Sequence, residues 1–413
     1  MATIRPFRAL RPLPEYASRV ASKPYDVLSS KEARIEAAGE PLSFLHVGKP
    51  EIDLPLSVDP YDPQVYEKGK ENLQRLIKEG ILRQDPNPYF YLYAQTMGEH
   101  TQYGIVGCVA VEEYLNDTIK KHELTRPDKE NDRTKHVEVT NAHTGPIFLI
   151  YRSDNRIDAV VDRICFTKPA NDFVADDSVR HQLWVISHEE TIQSVTELFK
   201  EIKTLYVADG HHRAAAAVTV AKQRAAANPH HTGKEEYNYF LSVLFSHNQV
   251  RILPYNRTVR DLNGRVRDAF LREIEKSFEI SRSRAEVEPA AKGELGMYLQ
   301  GSWCRLTVKP HLLTGLDPLE QLDVALLQNH LLGPLLGIED PRIDDRIDFI
   351  GGIRGVKELT RRVDSGDMAV AFALYPTSIE ELLTIADAGK FMPPKSTWFE
   401  PKLRDGLVVH PLD

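Results

Sequence analysis

Apolar residues recur at helical spacing in two well-separated parts of the chain. Over residues 191–202 they fall on one side of a predicted helix, at Ile192, Val195, Leu198, Phe199 and Ile202. A second helix is predicted to begin at Asp62-Pro63 and to end at Gly80. Aspartate caps helices, proline fits their first turn and glycine ends them, so both boundaries have a local cause.

Short apolar runs predict strands between these helices. They cover residues 89–94, 104–111, 147–151 and 204–208. The last run leads through Asp209-Gly210 into an alanine-rich helix that is predicted to reach Ala227, because alanine is the best helix former. Strands and helices that alternate in this way predict a mixed α/β fold.

The length of the chain predicts more than one domain. A single hydrophobic core rarely organises 413 residues. The composition shifts after Asn256, so we place the boundary there. Residues 1–255 form the first predicted domain, which holds the Asp209 turn. Residues 256–413 form a C-terminal α+β domain that closes with the segment PPKSTWF from Pro393.

Composition restricts the compartment and the partners. Hydrophobic residues make up 42% and charged residues 27%, as in an ordinary folded protein, and the net charge of -8 argues against a general nucleic-acid binder. Cys108, Cys165 and Cys304 form no CxxC pair, which fits a reducing compartment. No apolar run reaches the ~20 residues that span a bilayer. We predict a cytoplasmic protein without a membrane partner, and monomer and homodimer both stay open.

The strongest candidate for chemistry is the turn Asp209-Gly210-His211-His212-Arg213. A helix that starts directly after a strand presents N–H groups without helical acceptors and the positive end of its dipole, and both attract anions. Gly210 lets the backbone approach closely, and Arg213 can fork two hydrogen bonds onto a phosphate. His211 or His212 can act as acid or base near neutral pH. Asp209 can accept a proton or hold a cation.

Two other interpretations of this turn stay open. In the simpler one, Asp209 caps the helix and the histidines are incidental. The crowding of an aspartate, two histidines and an arginine around one glycine favours a functional role instead. A metal site is less favoured, because adjacent histidines point in different directions and no spaced pair such as HExxH is present.

A charged stretch over residues 120–133 is the second candidate. In the functional interpretation Glu123 is a general base, while Lys120, Lys121 and Arg126 clamp phosphates. In the alternative, the stretch is a solvated loop whose charges pair with one another, which is the usual fate of charge runs. The stretch itself does not decide between them.

Two further polar segments complete the predicted site. Lys395, Ser396 and Thr397 suit a loop that contacts phosphate, and equally a terminal segment docked by the aromatic residues that follow it. Asn141 and His143 precede a Gly-Pro turn and are predicted to contact the substrate, although turn chemistry alone would also explain them.

Short motifs along nearly the whole chain resemble those of the DUF1015 family, a bacterial and archaeal family catalogued as a domain of unknown function. They are PYDV from Pro24, SFLHV from Ser43, KKHE from Lys120 with Thr125-Arg126, GPIF from Gly145, ADGHHR from Ala208, YNR from Tyr255 and PPKSTWF from Pro393. That family is often described as ParB-like. Its Asp-Gly-His-His-Arg turn resembles the phosphate-binding turn of ParB partition proteins, sulfiredoxin and free serine kinases.

The resemblance implies a ParB/sulfiredoxin-like mixed α/β core with an additional C-terminal α+β domain. In those relatives the Gly-x-x-Arg turn binds a nucleotide or its phosphates. Among the candidate residues, the resemblance bears on Asp209, Gly210, His211, His212 and Arg213 alone. A glutamate serves as base in the kinases, but no motif aligns it with Glu123, which therefore stays a candidate from its own chemistry.

Together these features predict a phosphotransferase that uses ATP or ADP with Mg²⁺ to phosphorylate a small hydroxylated metabolite, serine-like in kind. Asp209 would help to place the Mg²⁺, and Glu123 or His212 would take the hydroxyl proton. Two alternatives stay open. One is a ParB-like nucleotide-binding protein with a regulatory or DNA-associated role, and the other is a phosphatase that acts on a phosphoserine-type substrate by the reverse chemistry.

Overall fold

Apolar strands and the helices that cover them form two units in the computed structural model, which describes residues 2–413. The first unit contains residues 2–250 and Pro401–Asp413, and the second contains Arg251–Glu400. Both combine sheets with helices, which confirms the predicted mixed α/β class.

The first unit contains nine helices and twelve strands up to Val250, counted over the described residues. The helices are α1 (Ala17–Val20), α2 (Ser30–Glu36), α3 (Leu45–Gly48), α4 (Pro63–Lys78), α5 (Val111–Leu115), α6 (Pro127–Thr140), α7 (Asn155–Cys165), α8 (Glu189–Lys200) and α9 (His211–Ala227). The strands are β1 (Ile4–Arg5), β2 (Leu10–Pro12), β3 (Leu82–Gln84), β4 (Phe90–Met97), β5 (His100–Ala110), β6 (Ile119–Lys120), β7 (Ala142–His143), β8 (Ile147–Tyr151), β9 (Asn171–Val174), β10 (Arg180–Ile186), β11 (Leu205–Asp209) and β12 (Tyr239–Ser246).

The large sheet of this unit has nine strands, in the order β6-β11-β8-β12-β5-β4-β10-β9 with β1 beside β5. β8 runs parallel to β12 and β6 runs parallel to β11, while β8 and β11 are antiparallel. Asp209 at the end of β11 therefore pairs with Phe148 at the start of β8. This register brings the turn after β11 next to the Gly145-Pro146 turn that precedes β8.

Local sequence signals account for the helices around this sheet. α4 begins after Asp62, whose side chain accepts a hydrogen bond from the Gln64 backbone N–H, and Pro63 opens its first turn as predicted. α8 lies two residues ahead of the predicted range, and α9 ends at Ala227 as predicted. No helix within residues 2–413 combines the length and apolar character needed to cross a bilayer.

Helix α6 contradicts the solvated-loop alternative for the part of the charged stretch from Pro127 onward. Its residues from Pro127 onward form a regular helix that packs against α4 and α9. Asp132, Thr134 and His136 are buried on it, so its inward face is largely polar. A polar inward face removes the apolar period by which an amphipathic helix is recognised in a sequence.

The second unit is built on an antiparallel sheet. Its helices are α10 (Arg267–Ser277), α11 (Asp323–Leu327), α12 (Gly355–Asp364) and α13 (Ile379–Asp387). Its strands are β13 (Arg251–Leu253), β14 (Tyr255–Val259), β15 (Phe278–Ser283), β16 (Glu294–Leu299), β17 (Ser302–Val308), β18 (Ile347–Gly351), β19 (Val370–Leu374) and β20 (Trp398–Glu400). The sheet order is β15-β17-β16-β19-β14-β18, and β13 pairs with β20 separately.

The last segment of the chain returns to the first unit, whereas the sequence analysis placed it in the C-terminal domain. β21 (His410–Pro411) pairs with β7, and the Val409 backbone exchanges hydrogen bonds with Leu10. The backbone of Asp405 exchanges hydrogen bonds with Ser22 in the same way. Such pairings join residues that are 267 or more positions apart in the chain, and no local pattern encodes them.

Candidate functional site

The turn after β11 has the backbone geometry of a helix start that requires glycine. Gly210 has φ +92°, in the left-handed region, and its N–H donates to Asp209 Oδ1 at 2.9 Å. Helix α9 then begins at His211, and the Ala214 N–H donates to the Gly210 carbonyl at 3.0 Å. The start of α9 lies beside the residue that follows the Gly145-Pro146 turn, because a Cβ atom on Gly210 would lie 3.5 Å from Ile147 Cα. The first N–H groups of a helix have no helical acceptors, so they can attract an anion.

Asp209 is paired with a lysine from the closing segment Pro401–Asp413, which we call the returning segment. Lys402 Nζ donates to Asp209 Oδ2 at 2.8 Å. Burial alone would raise the pKa of Asp209, but Lys402, with Arg213 and His211, lowers it below its usual range. Both carboxylate oxygens accept hydrogen bonds, and an ammonium group lies where a cation would bind. Asp209 therefore does not fit the predicted role of a Mg²⁺ ligand.

Arg213 lies in the first turn of α9 with its side chain 14% exposed. Its Nη1 donates to the Pro146 carbonyl at 2.8 Å and its Nη2 to Asp26 Oδ1 at 3.4 Å. Its guanidinium also lies 5.4 Å from the centre of the Tyr25 ring. Burial alone would lower the pKa of Arg213, but Asp405 and Asp26 raise it above its usual value. A guanidinium carries five N–H donors, so these two hydrogen bonds leave donors for a ligand.

A cavity opens beside the Arg213 side chain, and we call it the Arg213 cavity. Its polar lining comes from Tyr25, Arg133, His136, His143, Thr144, Arg213 and Asp405. Gly145 and Ile147, on either side of Pro146, also line it. The cavity thus joins the helix start to α6 and to the returning segment, which are distant in sequence.

Asp405 supplies the carboxyl group that lines this cavity. It is 4% exposed, and its Oδ1 has no hydrogen-bond partner among the described residues. Burial raises the pKa of Asp405 to about 6, and Asp26 acts in the same direction, while Arg213, Arg133 and Arg404 oppose them. A Cβ atom on Gly145 would lie 2.5 Å from Asp405 Oδ1, so glycine is needed for this close approach.

Arg133 shapes the cavity, but its charge is already paired. Its Nη2 lies 2.8 Å from Asp132 Oδ2, and its Nη1 donates to the Gly48 carbonyl at 3.3 Å. Its guanidinium stacks 4.1 Å from the centre of the Tyr25 ring. The Tyr25 ring therefore contacts both guanidinium groups, and this helps to order them. Of the two arginines in the cavity, Arg213 has the longer ion pair, 3.4 Å to Asp26 against 2.8 Å from Arg133 to Asp132.

Two histidines of the cavity are neutral at pH 7. Burial lowers the pKa of His136 to about 4, with Arg133 acting in the same direction, and its Nε2 lies 2.8 Å from the Val47 carbonyl. Burial and His410 lower the pKa of His143 well below its usual range. Of the two residues predicted to contact the substrate, His143 lines the cavity and Asn141 does not. Asn141 ends α6 at φ +54° and accepts a hydrogen bond from Arg224 at 2.6 Å.

His122, Glu123 and His211 form a second group near the turn, outside the lining of the Arg213 cavity. The rings of His122 and His211 meet edge to face with 4.6 Å between their centres. Burial lowers the pKa of His122 to about 4, although a hydrogen bond to the Val207 backbone and the charge of Asp209 raise it. One potential ligand atom from each of the three residues lies within 4.8 Å of the other two.

The remaining residues of the charged stretch are paired locally. The Arg126 backbone N–H donates to His212 Nε2 at 3.1 Å, so this nitrogen of His212 acts as an acceptor. The Arg126 side chain pairs with Asp128 at 2.9 Å, and Lys121 pairs with Asp117 at 3.0 Å. Lys120 lies in β6, opposite Tyr206 of β11.

The segment with Lys395, Ser396 and Thr397 belongs to the second unit. Lys395 has φ +58°, and its ammonium lies 5.7 Å from the centre of the Tyr255 ring. Ser396 is buried, and its Oγ donates to the Pro393 carbonyl at 2.6 Å. Arg257 donates to the carbonyls of Pro394 and Lys395. These contacts fix the loop within its own unit, and its predicted contact with phosphate stays a prediction.

The comparison with known families gives one match. The family described as "Protein of unknown function (DUF1015)" matches residues 4–325, well over half of the chain. The chain belongs to the DUF1015 family. This confirms the resemblance that the short motifs indicated. Among curated proteins, none matches the chain.

Solved structures give more distant likenesses to this DUF1015 protein. A free serine kinase variant in complex with AMP has 12% identity and a TM-score of 0.37, covering 72% of this chain and 87% of that one. SbnI from Staphylococcus aureus with a C-terminal truncation has 12% identity and a TM-score of 0.39, with 74% and 87% covered. A conserved hypothetical protein from Pyrococcus furiosus has 14% identity and a TM-score of 0.35, and the match covers 73% of this chain and 93% of that one. Likeness this distant does not transfer a function.

Sequence reasoning missed several residues of this DUF1015 site, among them Arg133, Lys402, Asp405, Tyr25 and His122. Arg133 was part of the charged stretch, but nothing set it apart from its charged neighbours. Lys402 and Asp405 lie in the closing segment and carry no local signal. Tyr25 and His122 stood inside motifs that carried the family resemblance, and that was a usable signal for both.

The raised pKa of Asp405 predicts a stabilising substitution. Because its pKa is about 6 in the folded protein and near 3.8 otherwise, the ionised form costs folding free energy above pH 6, and this cost disappears below pH 4. Two pKa units correspond to about 3 kcal/mol. We expect Asp405→Asn to be about 2–3 kcal/mol more stable than the native chain at pH 8 and equal to it near pH 4. Urea unfolding at both values measures this, and a less stable variant at pH 8 would contradict the assignment.

Proposed function

We propose that this DUF1015 protein is a nucleotide-dependent phosphotransferase that phosphorylates a small hydroxylated metabolite of the serine kind. One observation carries the proposal. The Arg213 cavity brings a guanidinium at a helix start together with an enclosed carboxyl group, Asp405, that has no hydrogen-bond partner on Oδ1 among the described residues. Phosphoryl transfer needs this pair of groups, because catalysis consists mainly of holding phosphates and accepting the hydroxyl proton.

The phosphate is proposed to bind between Arg213 and the first turn of α9. The Arg213–Asp26 pair is long at 3.4 Å, and the Asp26 side chain is 36% exposed. An exposed, long pair contributes little, so a phosphate can take the place of Asp26 at small cost. The carbonyl of Pro146 keeps the guanidinium oriented through Nη1 while other N–H groups turn to the ligand.

Asp405 is the proposed proton acceptor. In the transfer, the substrate hydroxyl oxygen forms a bond to the terminal phosphorus of ATP or ADP, the bond from that phosphorus to the bridging oxygen breaks, and the hydroxyl proton moves to Asp405. A base with a pKa near 6 is ionised at neutral pH and still basic enough to accept that proton. Glu123 stays the second candidate. His212 is less suited, since its Nε2 already accepts from the Arg126 N–H.

The ParB/sulfiredoxin-like character of the turn belongs to the same proposal, as does a cytoplasmic location. Cys108, Cys165 and Cys304 are all free thiols in the structure, which fits a reducing compartment. A regulatory nucleotide-binding protein would share the phosphate site, but it would have no use for an enclosed carboxyl group at destabilising cost. We therefore favour the enzyme.

Incubation of the purified chain with ATP or ADP and a panel of hydroxylated metabolites, including serine, tests the proposal. Phosphorus NMR is expected to show a new phosphomonoester signal together with the nucleotide product. Nucleotide binding without any product across the panel would favour the regulatory alternative. Release of inorganic phosphate from phosphoserine without nucleotide would favour the phosphatase.

A further inference from the structure

The group of His122, Glu123 and His211, which we call the His122 cluster, lies outside the lining of the Arg213 cavity, and only Glu123 of the three is a candidate, the second one, in the proposed reaction. His122 and His211 are buried, and Glu123 is partly buried. Two imidazoles and one carboxylate are a frequent ligand set for divalent transition metals, and a set of three leaves at least one coordination position open.

The two imidazole rings have the separation that a shared ion requires. For an ion about 2.1 Å from each nitrogen, the ring centres lie about 4.6 Å apart when the two bonds are at right angles and about 5.3 Å apart at the tetrahedral angle of zinc, so the observed rings lie at the short end of this range. The rings of His122 and His211 are 4.6 Å apart, with 85° between their planes. Ligand atoms on one ion lie about 3–3.5 Å from each other. The three atoms of the cluster are within 4.8 Å, so small rotations, mainly of Glu123, complete the geometry.

The protonation of His122 suits a ligand. Its hydrogen bond to the Val207 backbone carbonyl uses one ring nitrogen as a donor, so the other nitrogen of the neutral ring carries a lone pair. Metal-bound histidines commonly donate their second N–H to a backbone carbonyl in this way, which fixes the orientation of the ring.

We propose that the His122 cluster binds one divalent transition-metal ion, such as Zn²⁺, and that it does not select Mg²⁺. Magnesium prefers oxygen ligands in octahedral geometry, whereas two nitrogen donors select zinc and its neighbours in the transition series. The proposed metal site is therefore not at Asp209, whose carboxylate is paired with Lys402. It lies at the His122 cluster near the same turn. The ion would tie residues 122–123 to the start of α9 and would hold the helix start in place.

Metal binding by the full-length chain, stripped with EDTA and carrying no histidine tag, tests this directly. Isothermal titration with Zn²⁺ is expected to give one ion per chain, and Co²⁺ is expected to give the visible absorption bands of an imidazole-bound ion. Excess Mg²⁺ should displace neither. Nucleotide is absent throughout, so the result is independent of the proposed reaction.

Variants locate the ion. Glu123→Gln and His211→Gln should each weaken Zn²⁺ binding at least tenfold, since even outer-shell partners of a metal site cost about 10–100-fold when removed. His212→Gln is the matched control, because the ring of His212 accepts a hydrogen bond from the Arg126 N–H and is not part of the cluster. This variant should bind Zn²⁺ as the native chain does. Circular dichroism checks that each variant is folded. If His211→Gln unfolds, Glu123→Gln still tests the proposal, because glutamine keeps the shape of the glutamate side chain. Absence of stoichiometric binding, or equal affinity of the Glu123 and His212 variants, would overturn the proposal.

Discussion

Replacing Arg213 by glutamine is expected to weaken ADP and ATP binding by about 2–5 kcal/mol, a factor of roughly thirty to several thousand. The guanidinium is the one cation of the Arg213 cavity with a long carboxylate pair, and its remaining N–H groups lie at the start of α9. Arg213→Lys should fall between the native chain and Arg213→Gln, because lysine keeps the charge but loses the planar fork. Isothermal titration at constant ionic strength measures all three.

Asp26→Asn gives the opposite sign and serves as the matched control for the Arg213 variants. It removes the carboxylate that competes with phosphate for Arg213, so we expect equal or tighter nucleotide binding. Asp26 is more than a third exposed, so its replacement should leave the fold intact. Native affinity in Arg213→Gln, or a large loss in Asp26→Asn, would show that the phosphate binds elsewhere.

Replacing Asp405 by asparagine is expected to lower kcat by about 100- to 10,000-fold, the usual contribution of a general base. Nucleotide affinity should stay equal or become tighter, because asparagine removes a negative charge beside the proposed phosphate site, and Asp405 is proposed to contact the substrate hydroxyl and not the phosphates. In the native chain kcat/KM should rise with pH up to about 6 and then level off, since the carboxyl must be ionised to accept the proton. Arg213, Arg133, Arg404 and Asp26 are the charged groups that set this pKa.

The pH profile distinguishes Asp405 from Glu123 as the base. In Asp405→Asn the rise below pH 6 should vanish together with the activity. If Asp405→Asn keeps native kcat and the same profile, Asp405 is not the base and Glu123 is the remaining candidate. The expected gain in folding stability of Asp405→Asn makes the outcome easy to interpret, because lost activity cannot then come from unfolding. A group that destabilises the fold and is needed for the reaction is typical of active sites.

The part of the site encoded locally could be predicted from the sequence. The strand, the glycine turn and the helix that carry Asp209 to Arg213 follow from an apolar run, a left-handed Gly210 and an alanine-rich segment that needs little outside support. These signals act within a few residues, and tertiary packing did not override them. The anion-binding potential of the turn follows from the same local geometry.

The part built by long-range packing could not be predicted. α6 turns a polar face with Asp132 and His136 toward the interior, so its charged sequence resembled a loop. Asp405 and Lys402 reach the turn only because the closing segment pairs with Leu10 and Ser22 near the start of the chain. Neither feature has a periodicity, and the raised pKa of Asp405 depends wholly on its neighbours.

The central claim is that the Arg213 cavity holds a phosphate beside Asp405. A crystal structure of the chain with ADP and serine tests it most directly. We expect an oxygen of the β-phosphate at about 2.7–2.9 Å from the Arg213 guanidinium, the distance of a charge-assisted hydrogen bond, with the serine hydroxyl in hydrogen-bond contact with Asp405. A nucleotide bound away from the start of α9, with Arg213 still on Asp26 and Pro146, would contradict it.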